Sequence, residues 1–443
     1  MKLTVRRMAL GATILASALL SSALAQVQVG TCVSGLTSYA TIQQAVNASI
    51  AGTTIEVCPG NYPEQVTIAK SLTLKGVTNS AGQAAAVVVS PSGGLLPNAS
   101  DVDTGLPIAA QILVQNTTGV LIKKLGVNGA NNGLSGCATD VTGILFQNAS
   151  GTVNDVAVRD QTLTPSLYGC QDGEGIFVQT ASGFTSALSV ANSSVRNYQK
   201  NGITGNDPGT TISVFSNDVQ GWGPTPSIAQ NGIQIAFGAT GTVSGNVVID
   251  DVYMNPACGG PHQPVCYGSS GILLYDGQNG NIVVSSNTVG NTQYAIALVT
   301  DDFAPAQYDD GVTVSGNQIL GSSDFDSTLA TDAIDVCTDF NSISGNTIMN
   351  SGESAIHLDS SCSGSGNNTG SSNVVSRNTI NDSACAGILA DSVTNANTDS
   401  GNTFFNVPFT IASSTTSCTY PAVGPVANAV RDGVAGLKKL PKR

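Results

Sequence analysis

The strongest constraint on the fold is a short strand pattern that recurs along most of the chain. A small residue and an isoleucine precede one variable residue and an apolar one, and successive copies are 32, 27, 30, 39, 24, 38, 22 and 32 residues apart. Such periods indicate a repeat architecture, because each unit buries its apolar side only by stacking on its neighbours. The copies begin at Gly143-Ile144, Gly175-Ile176, Gly202-Ile203, Gly232-Ile233, Gly271-Ile272, Ala295-Ile296, Ala333-Ile334, Ala355-Ile356 and Gly387-Ile388.

A second motif, an asparagine followed two positions later by a β-branched or aromatic residue, alternates with the first. Two strand signals per period, without helical periodicity, predict the coils of a parallel β-helix. Isoleucine and valine would then form inward ladders, and asparagine at a repeated corner would form an internal ladder of side chains. The asparagines are Asn217, Asn246, Asn287, Asn317, Asn346, Asn378 and Asn402.

The composition agrees with stacked coils. Only 10% of the residues are charged, against about 25% in ordinary domains, and stacking disfavours like charges opposite each other. The scarcity of Glu, Lys and Arg excludes a coiled coil, and 41% hydrophobic residues argue against a disordered acidic chain. A formal net charge of −13 argues against nucleic-acid binding.

The N-terminal segment supplies the resemblance to a known family. Thr41-Ile42-Gln43-Gln44-Ala45-Val46 predicts an amphipathic capping helix, followed by the strand Thr54–Val57 and the motifs Pro59-Gly60-Asn61-Tyr62-Pro63-Glu64 and Ser71–Gly76. This series resembles the opening of right-handed parallel β-helix proteins of the pectin-lyase-like superfamily, over about residues 38–412. The resemblance implies an all-β, single-stranded right-handed parallel β-helix with a short N-terminal capping helix.

The resemblance assigns no catalytic residue. Asp160-Gln161-Thr162-Leu163 is a near-anagram of one pectin methylesterase motif, but nothing matches the other. Trp222 is the single tryptophan and lacks the surroundings that a pectate lyase would show. The histidine and arginine motifs of polygalacturonases are absent from the sequence. A fold hosts many activities, so function must be argued from the site.

Three segments are predicted along the chain. Residues 1–25 have a basic start, an apolar stretch and the small-residue pattern Ala23-Leu24-Ala25, which is typical of a secretory signal peptide. Residues 26–420 form the β-helix, and residues 421–443 form a basic tail. No later segment is apolar enough to cross a membrane. We expect a secreted, periplasmic or cell-surface protein, and a monomer.

Export makes the cysteines interpretable. All ten lie after the signal peptide, and an oxidising compartment favours disulfides. No Cys-x-x-Cys pair is present, which argues against a structural zinc site. Cys258 and Cys266 are close enough to clip one loop, and spacing leaves the other pairings open.

Charge is concentrated in the middle of the chain. Residues 201–376 contain no Lys or Arg, but they contain 16 of the 29 acidic residues and both histidines. This region would repel a polyanion that brings no cation, so a neutral glycan fits better. The pentapeptide Gln171-Asp172-Gly173-Glu174-Gly175 forms either a second acidic site or a turn before a strand, and we favour the turn.

Aligning the repeats predicts one catalytic group. The variable position faces outwards, which makes Asp335 and His357 neighbours on adjacent coils of an exposed sheet, with Asp359 beside His357. A histidine between carboxylates suits general acid–base chemistry on a glycosidic bond. The predicted substrate-binding residues are Tyr275, Tyr294, Asp301, Asp302, Asp332 and Asp391. The loop acids could instead bind Ca²⁺, which takes oxygen ligands, and no metal ligand is assigned.

Two functions therefore stay open. The first is polysaccharide processing, by a glycoside hydrolase rather than a lyase or esterase. The second is a non-catalytic β-helix that binds glycan or serves as a surface module. Metal delivery ranks last, because two histidines and four methionines offer few soft ligands.

Overall fold

The computed structural model describes residues 25–253, 268–300, 310–322, 331–360, 370–391, 394 and 396–416. Its strands, numbered in chain order, form three long sheets, here called A, B and C. The signal peptide (apart from Ala25), the Cys258/Cys266 loop and the basic tail lie outside these residues. Within them, no helix has the length and apolar character needed to cross a membrane.

Sheet A contains β1 Gln26–Val29, β2 Thr37–Tyr39, β3 Thr54–Val57, β6 Thr73–Gly76, β10 Val120–Lys123, β13 Gly151–Asn154, β16 Ser186–Ala191, β19 Thr210–Phe215, β22 Thr240–Ser244, β25 Ile282–Ser285, β28 Thr313–Ser315, β31 Ser342–Ser344, β34 Val374–Ser376 and β37 Thr398–Ser400. Sheet B contains β4 Gly60–Pro63, β7 Ala86–Val89, β11 Gly126–Asn128, β14 Ala157–Gln161, β17 Ser194–Tyr198, β20 Asp218–Thr225, β23 Val247–Tyr253, β26 Thr288–Thr292, β29 Gln318–Ser322, β32 Thr347–Ser351, β35 Thr379–Ser383 and β38 Thr403–Phe405.

Sheet C contains β5 Val66–Ile68, β8 Ala99–Ser100, β9 Pro107–Gln115, β12 Asp140–Gln147, β15 Glu174–Gln179, β18 Asn201–Asn206, β21 Asn231–Ala236, β24 Ser270–Tyr275, β27 Tyr294–Val299, β30 Ile334–Val336, β33 Ser354–Leu358, β36 Ala386–Ala390 and β39 Phe409–Ser413. Among the strands described, every pairing is parallel except the short antiparallel contact of β8 with β9. The chain therefore passes from sheet C to A to B in each coil and then begins the next coil, which is the predicted right-handed parallel β-helix.

The isoleucine of the repeat forms the core of sheet C. From Ile112 to Ile388, one isoleucine per coil aligns with the next, and each is at most 3% exposed. Burying each such side chain contributes about 1.5–3 kcal/mol. The predicted inward ladder is confirmed.

The asparagine ladder is also confirmed, at the corner between sheets A and B. From Asn217 to Asn378, each amide Nδ2 donates to the Oδ1 of the next asparagine at 2.9–3.0 Å. The same Oδ1 also accepts from the preceding asparagine's backbone N–H, as Asn246 does from Asn217 at 3.0 Å. These bonds satisfy buried polar groups that would otherwise be costly.

The capping helix α1, Ile42–Ala48, closes the N-terminal end. Thr41 caps it by accepting from the Gln44 backbone N–H at 3.1 Å, and Ile42, Ala45 and Val46 are buried against the first coils. Glu64 accepts from the backbone N–H groups of Ile42 and Gln43 at 2.8 and 2.9 Å. The glutamate of the family-like motif therefore anchors the helix N-terminus. One 3₁₀ turn, Pro165–Leu167, precedes β15.

Two disulfides are described, Cys32–Cys58 and Cys137–Cys170, and no cysteine in the described part of the chain is free. The first ties β1 to the end of β3. The second joins the loop before β12 to the loop before β15. The expectation that the cysteines form disulfides is therefore supported at these positions.

We predict that Asn287→Ala destabilises the fold by about 2–4 kcal/mol, because it leaves buried partners unsatisfied. The lost bonds join Asn287 to the side chains of Asn246 and Asn317 and to the backbone of Val243. Thermal or urea unfolding checks this, with exposed Asn61→Ala on β4 as the matched control. Equal stability of the two variants would contradict a structural role for the ladder.

Candidate functional site

The outer face of sheet C carries the candidate site residues in rows. The glycine before the isoleucine faces the interior, next to sheet B. A Cβ added to Gly175 would lie 2.5 Å from a methyl carbon of Val195 on β17. Residues on either side of this Gly-Ile pair therefore face outwards. The row after the isoleucine, aligned by strand register, runs Phe177, Thr204, Gln234, Leu273, Ala297, Asp335, His357 and Leu389.

A cavity of about 510 Å³ opens on this face over β12 to β24, and we call it the acidic cavity. A volume of this size suits a small ligand or a short stretch of a polymer. Six of the described residues that line it are acidic, and Lys200 is the one basic residue in this lining. The lining includes Asp101, Asp103, Asp140, Asp172, Glu174, Asp207, Lys200, Asn201, Asn231, Phe177, Phe237, Leu273 and Tyr275.

One wall of the acidic cavity is a loop that glutamines hold in place. Gln147 and Gln179, at the ends of β12 and β15, donate to the Ser100 carbonyl at 3.0 and 2.9 Å. Gln179 also accepts from the backbone N–H of Val102 at 3.0 Å. Asp101 closes the turn by accepting from the backbone N–H of Thr104 at 2.7 Å. The loop is thereby fixed over the sheet beside the carboxylates.

Two carboxyl groups lie within the acidic cavity and are held by hydrogen bonds. Asp140 accepts from the Gly173 backbone N–H at 2.7 Å and from the Thr142 hydroxyl at 3.0 Å. Glu174, 8% exposed, accepts from the Asn201 amide at 2.8 Å and from the Thr204 hydroxyl at 2.6 Å. Their orientations are set before any substrate arrives.

Burial raises the pKa of both groups. The pKa of Asp140 rises to about 7 through desolvation, with the charge of Asp172 contributing in the same direction. The pKa of Glu174 rises to about 8 through desolvation and the charge of Asp140. Since the two groups interact, the raised pKa values belong to the pair and not to either residue alone.

Two further groups share this low-dielectric surrounding. Desolvation raises the pKa of Asp172 to about 6, and its buried Oδ2 has no hydrogen-bond partner among the described residues. Burial lowers the pKa of Lys200, although the nearby Glu174 charge acts in the opposite direction. Lys200 donates through Nζ to the Ala229 carbonyl at 2.9 Å. The site is thus dominated by carboxyl groups with a single cation at its edge.

Aromatic and apolar side chains form the far rim of the acidic cavity. Phe237 is 46% exposed, and its ring meets that of Tyr275 edge to face with centroids 5.5 Å apart. Leu273 and Phe177 lie in the same outward row of sheet C. An exposed aromatic surface beside polar groups is the usual composition of a binding cleft for a partly apolar ring.

The predicted catalytic residues lie in a second group further along sheet C, here called the carboxylate–histidine cluster. It comprises Asp332, Asp335, His357, Asp359 and Asp391. The ring Nδ1 of His357 lies 2.9 Å from Asp332 Oδ2, and Nε2 lies 3.4 Å from Asp391 Oδ1. From β15 to β33 there are six coil steps of about 4.8 Å each, so about 29 Å separates the cluster from Glu174.

The charges of the carboxylate–histidine cluster are strongly coupled. Burial acts to lower the pKa of His357, but the charge of the adjacent Asp332 and the hydrogen bonds that the ring donates to Asp332 and Asp391 raise it well above its ordinary value. The His357 hydrogen bond holds the pKa of Asp391 below its usual range. Desolvation and the charge of Asp359 raise the pKa of Asp335 well above its ordinary value.

The structure brings most of the predicted site residues together. Asp335 pairs with His357 in register, as predicted. Burial raises the pKa of Tyr294 well above its ordinary value, and the charges of Asp335 and Asp332 contribute, which places this tyrosine beside the cluster. Tyr275 instead lines the acidic cavity. Asp301 and Asp302 lie outside the described residues.

The predicted exposure of this group is wrong. Asp335 is only 7% exposed and the His357 side chain 14%, because neighbouring carboxylates and Tyr294 surround them. The catalytic and substrate-binding roles of these residues stay predictions.

Sequence reasoning missed the acidic cavity as a site. Its one signal was the pentapeptide 171–175, which leads into β15 and forms its first two residues, and which places Asp172 and Glu174 in the cavity wall. No motif in the sequence around Asp140 predicted that this residue would lie near Glu174. The two come together because β12 and β15 are adjacent in the sheet, with Thr142 aligned to Glu174.

Gly173 is required for the contact that orients Asp140. Its φ is +102°, and a Cβ would lie 2.5 Å from the Gln161 carbonyl oxygen and from Gln199 Cβ. We predict that Gly173→Ala destabilises the fold by about 2–4 kcal/mol, since backbone strain and overpacking add. Gly183→Ala is the matched control: φ is +86° there, with nothing within 4 Å, so we expect only about 1–2 kcal/mol. Unfolding measurements giving equal losses would show that crowding at Gly173 is unimportant.

Comparisons with known proteins give a fold and no closer assignment. No family model matches the sequence, and no curated protein matches it. Among solved structures, the GH136 lacto-N-biosidase from Eubacterium ramulus aligns with a TM-score of 0.54 at 10% identity, over 86% of this chain and 68% of that one. The Agl-KA catalytic domain aligns with a TM-score of 0.51 at 14% identity, over 84% and 64%.

The Dettilon tailspike protein aligns with a TM-score of 0.50 at 14% identity, over 80% of this chain and 62% of that one. At these identities the likeness concerns the fold alone. It agrees with the three long parallel sheets of this structure. The chain therefore has the fold of a right-handed parallel β-helix, which is consistent with the resemblance to pectin-lyase-like proteins.

Proposed function

We propose that the protein is a glycoside hydrolase that cleaves a neutral polysaccharide in the acidic cavity. The carrying observation is the pair Asp140 and Glu174, a half-buried and a buried carboxyl group in one cavity of about 510 Å³. Hydrolysis of a glycosidic bond by paired carboxyl groups needs one protonated and one ionised. Their raised pKa values meet that condition near neutral pH.

The pair divides the chemistry between its two members. We assign Glu174, with the higher pKa of about 8, as the general acid that protonates the leaving glycosidic oxygen. Asp140, with a pKa of about 7, is the carboxylate that acts on the anomeric carbon, directly or through a water molecule. The hydrogen bonds from Gly173 and Thr142 hold Asp140 in place and stabilise its ionised form.

The surroundings of the pair favour an uncharged sugar chain. Asp101, Asp103, Asp172 and Asp207 share the cavity with a single lysine, Lys200. A polyanion would meet repulsion from this wall, whereas a neutral sugar offers hydroxyl groups to the same oxygens. The rim formed by Phe237 and Tyr275 supplies an apolar surface for the C–H face of a ring.

The structural neighbours support the same class of function. One is a lacto-N-biosidase and another a tailspike protein, and the first, by its name, uses this architecture to act on a glycan. The fold by itself selects no substrate. The disulfides fit an extracellular setting, where polymeric glycans are encountered.

The cluster of Asp335, His357 and Asp359 is the alternative catalytic centre. We rank it second, because both ring nitrogens of His357 already face carboxylates, at 2.9 and 3.4 Å. A general acid or base must instead reach the substrate within hydrogen-bond distance. The two candidate centres differ in which substitution should abolish activity in the same assay.

The test measures new reducing ends from a panel of neutral and acidic polysaccharides. We predict that Glu174→Gln lowers kcat on the cleaved glycan by about 10²–10⁴-fold, because the amide donates no acidic proton. Asp382→Asn, at an exposed carboxylate on β35 of sheet B, is the matched control and should retain the wild-type rate.

Three outcomes would contradict the proposal. Full activity in Glu174→Gln together with loss in His357→Gln would place catalysis in the carboxylate–histidine cluster. Saturable glycan binding without any turnover by the wild-type protein would identify a binding module. Cleavage confined to polyuronates would overturn the neutral substrate class.

The pH profile follows from the coupled pair. We predict a bell-shaped kcat/KM with limbs near pH 7 and pH 8. Below the first limb both carboxyl groups are protonated and no base remains, and above the second both are ionised and no acid remains. Rates measured from pH 4 to 10 check this. A plateau extending down to about pH 5 would show that the pair does not carry the reaction.

A further inference from the structure

The carboxylate–histidine cluster has the spacing of a metal site. Ligand atoms of Asp332, Asp335 and His357 lie within 4.8 Å of one another, and so do those of His357, Asp359 and Asp391. The residues come from three adjacent coils, at β30, β33 and the end of β36. Donor atoms this close can contact one ion together.

The orientation of His357 is that of a metal ligand. Asp332 Oδ2 lies 2.9 Å from Nδ1, an ordinary hydrogen bond that fixes the ring. Metal-binding histidines typically give their second ring nitrogen to a carboxylate in this way. The other nitrogen, Nε2, makes a long and therefore weak hydrogen bond of 3.4 Å to Asp391 Oδ1. Nε2 and Asp391 therefore face each other across a gap that an ion could bridge.

The second carboxylate oxygen of Asp391 is also fixed by hydrogen bonds. This atom, Oδ2, accepts from the Ser360 backbone N–H at 3.0 Å and from the Ser360 hydroxyl at 2.9 Å. These bonds leave Oδ1 directed towards His357. Hydrogen-bonded carboxylates of this kind are typical of preorganised ligands.

A buried, unpartnered oxygen points independently to a bound group. Asp335 is 7% exposed, and its Oδ1 has no hydrogen-bond partner among the described residues. Its ligand atom lies within 4.8 Å of those of His357 and Asp359. An unsatisfied buried carboxyl oxygen is costly, and a cation at the cluster would satisfy it.

We propose that this cluster binds one divalent cation of the Mn²⁺ type, with His357 Nε2, Asp359 and Asp391 as ligands and Asp335 as an adjoining carboxylate. The mixture of one imidazole with carboxylates favours Mn²⁺ over Ca²⁺, which prefers oxygen ligands alone. Asp332 is a positioning residue that holds the ring. The site is independent of hydrolysis at the acidic cavity and stands if that activity is absent.

The test titrates the full chain, freed of metal by a chelator, with Mn²⁺ in a calorimeter. The wild-type protein should bind one Mn²⁺. We predict that Asp391→Asn and His357→Gln weaken binding more than about 100-fold, and that Asp332→Asn weakens it about 10–100-fold. Asp399→Asn, an exposed carboxylate on β37 of sheet A, is the control and should change affinity by less than about twofold.

The variant Asp335→Asn distinguishes a loss of metal binding from a loss of folding. Replacing a buried carboxyl group whose Oδ1 lacks a hydrogen-bond partner should leave the metal-free protein about as stable, while weakening Mn²⁺ binding. Circular dichroism and thermal unfolding without metal show whether each variant folds. The proposal is overturned if the wild type shows no saturable Mn²⁺ site, or if His357→Gln binds Mn²⁺ or Ca²⁺ as tightly as the wild type does.

Discussion

The parallel hydrogen bonding between successive coils is the constraint on which everything else in this protein depends. It places each side chain directly above its counterpart about 4.8 Å away, so a single choice of residue becomes a continuous row. Isoleucine rows fill the interior and asparagine rows satisfy the corner between sheets A and B. The same alignment assembles functional groups from sequence positions more than 20 residues apart, such as Asp335 and His357.

The two acidic sites on sheet C are both assembled by this alignment of coils, but the charges of their buried carboxyl groups are compensated in different ways. In the acidic cavity, desolvation raises the pKa values of Asp140 and Glu174, and the pair retains a proton near neutral pH. In the carboxylate–histidine cluster, His357 lies between Asp332 and Asp391 and partly compensates their charge. The first arrangement suits proton transfer, and the second suits a cation.

The fold could be predicted from sequence because its signal is repeated. A pattern seen nine times identifies inward and outward positions, which gave the register of Asp335 against His357. The acidic cavity could not be predicted in the same way. Asp140 begins β12 outside the repeated motif, and the loop from Ser100 to Leu106 that forms one wall is held by hydrogen bonds to Gln147 and Gln179 that no repeat predicts. Burial, which decides the protonation of Glu174 and Asp335, is likewise a property of the folded surroundings.

The central claim, that the acidic cavity is where a glycan is processed, is tested most directly by a crystal structure of the Glu174→Gln protein with a neutral oligosaccharide. The account predicts a glycosidic oxygen between residues 140 and 174, with a sugar ring against Phe237 and Tyr275. A sugar bound over His357, or on sheet A or B with the acidic cavity empty, would contradict it.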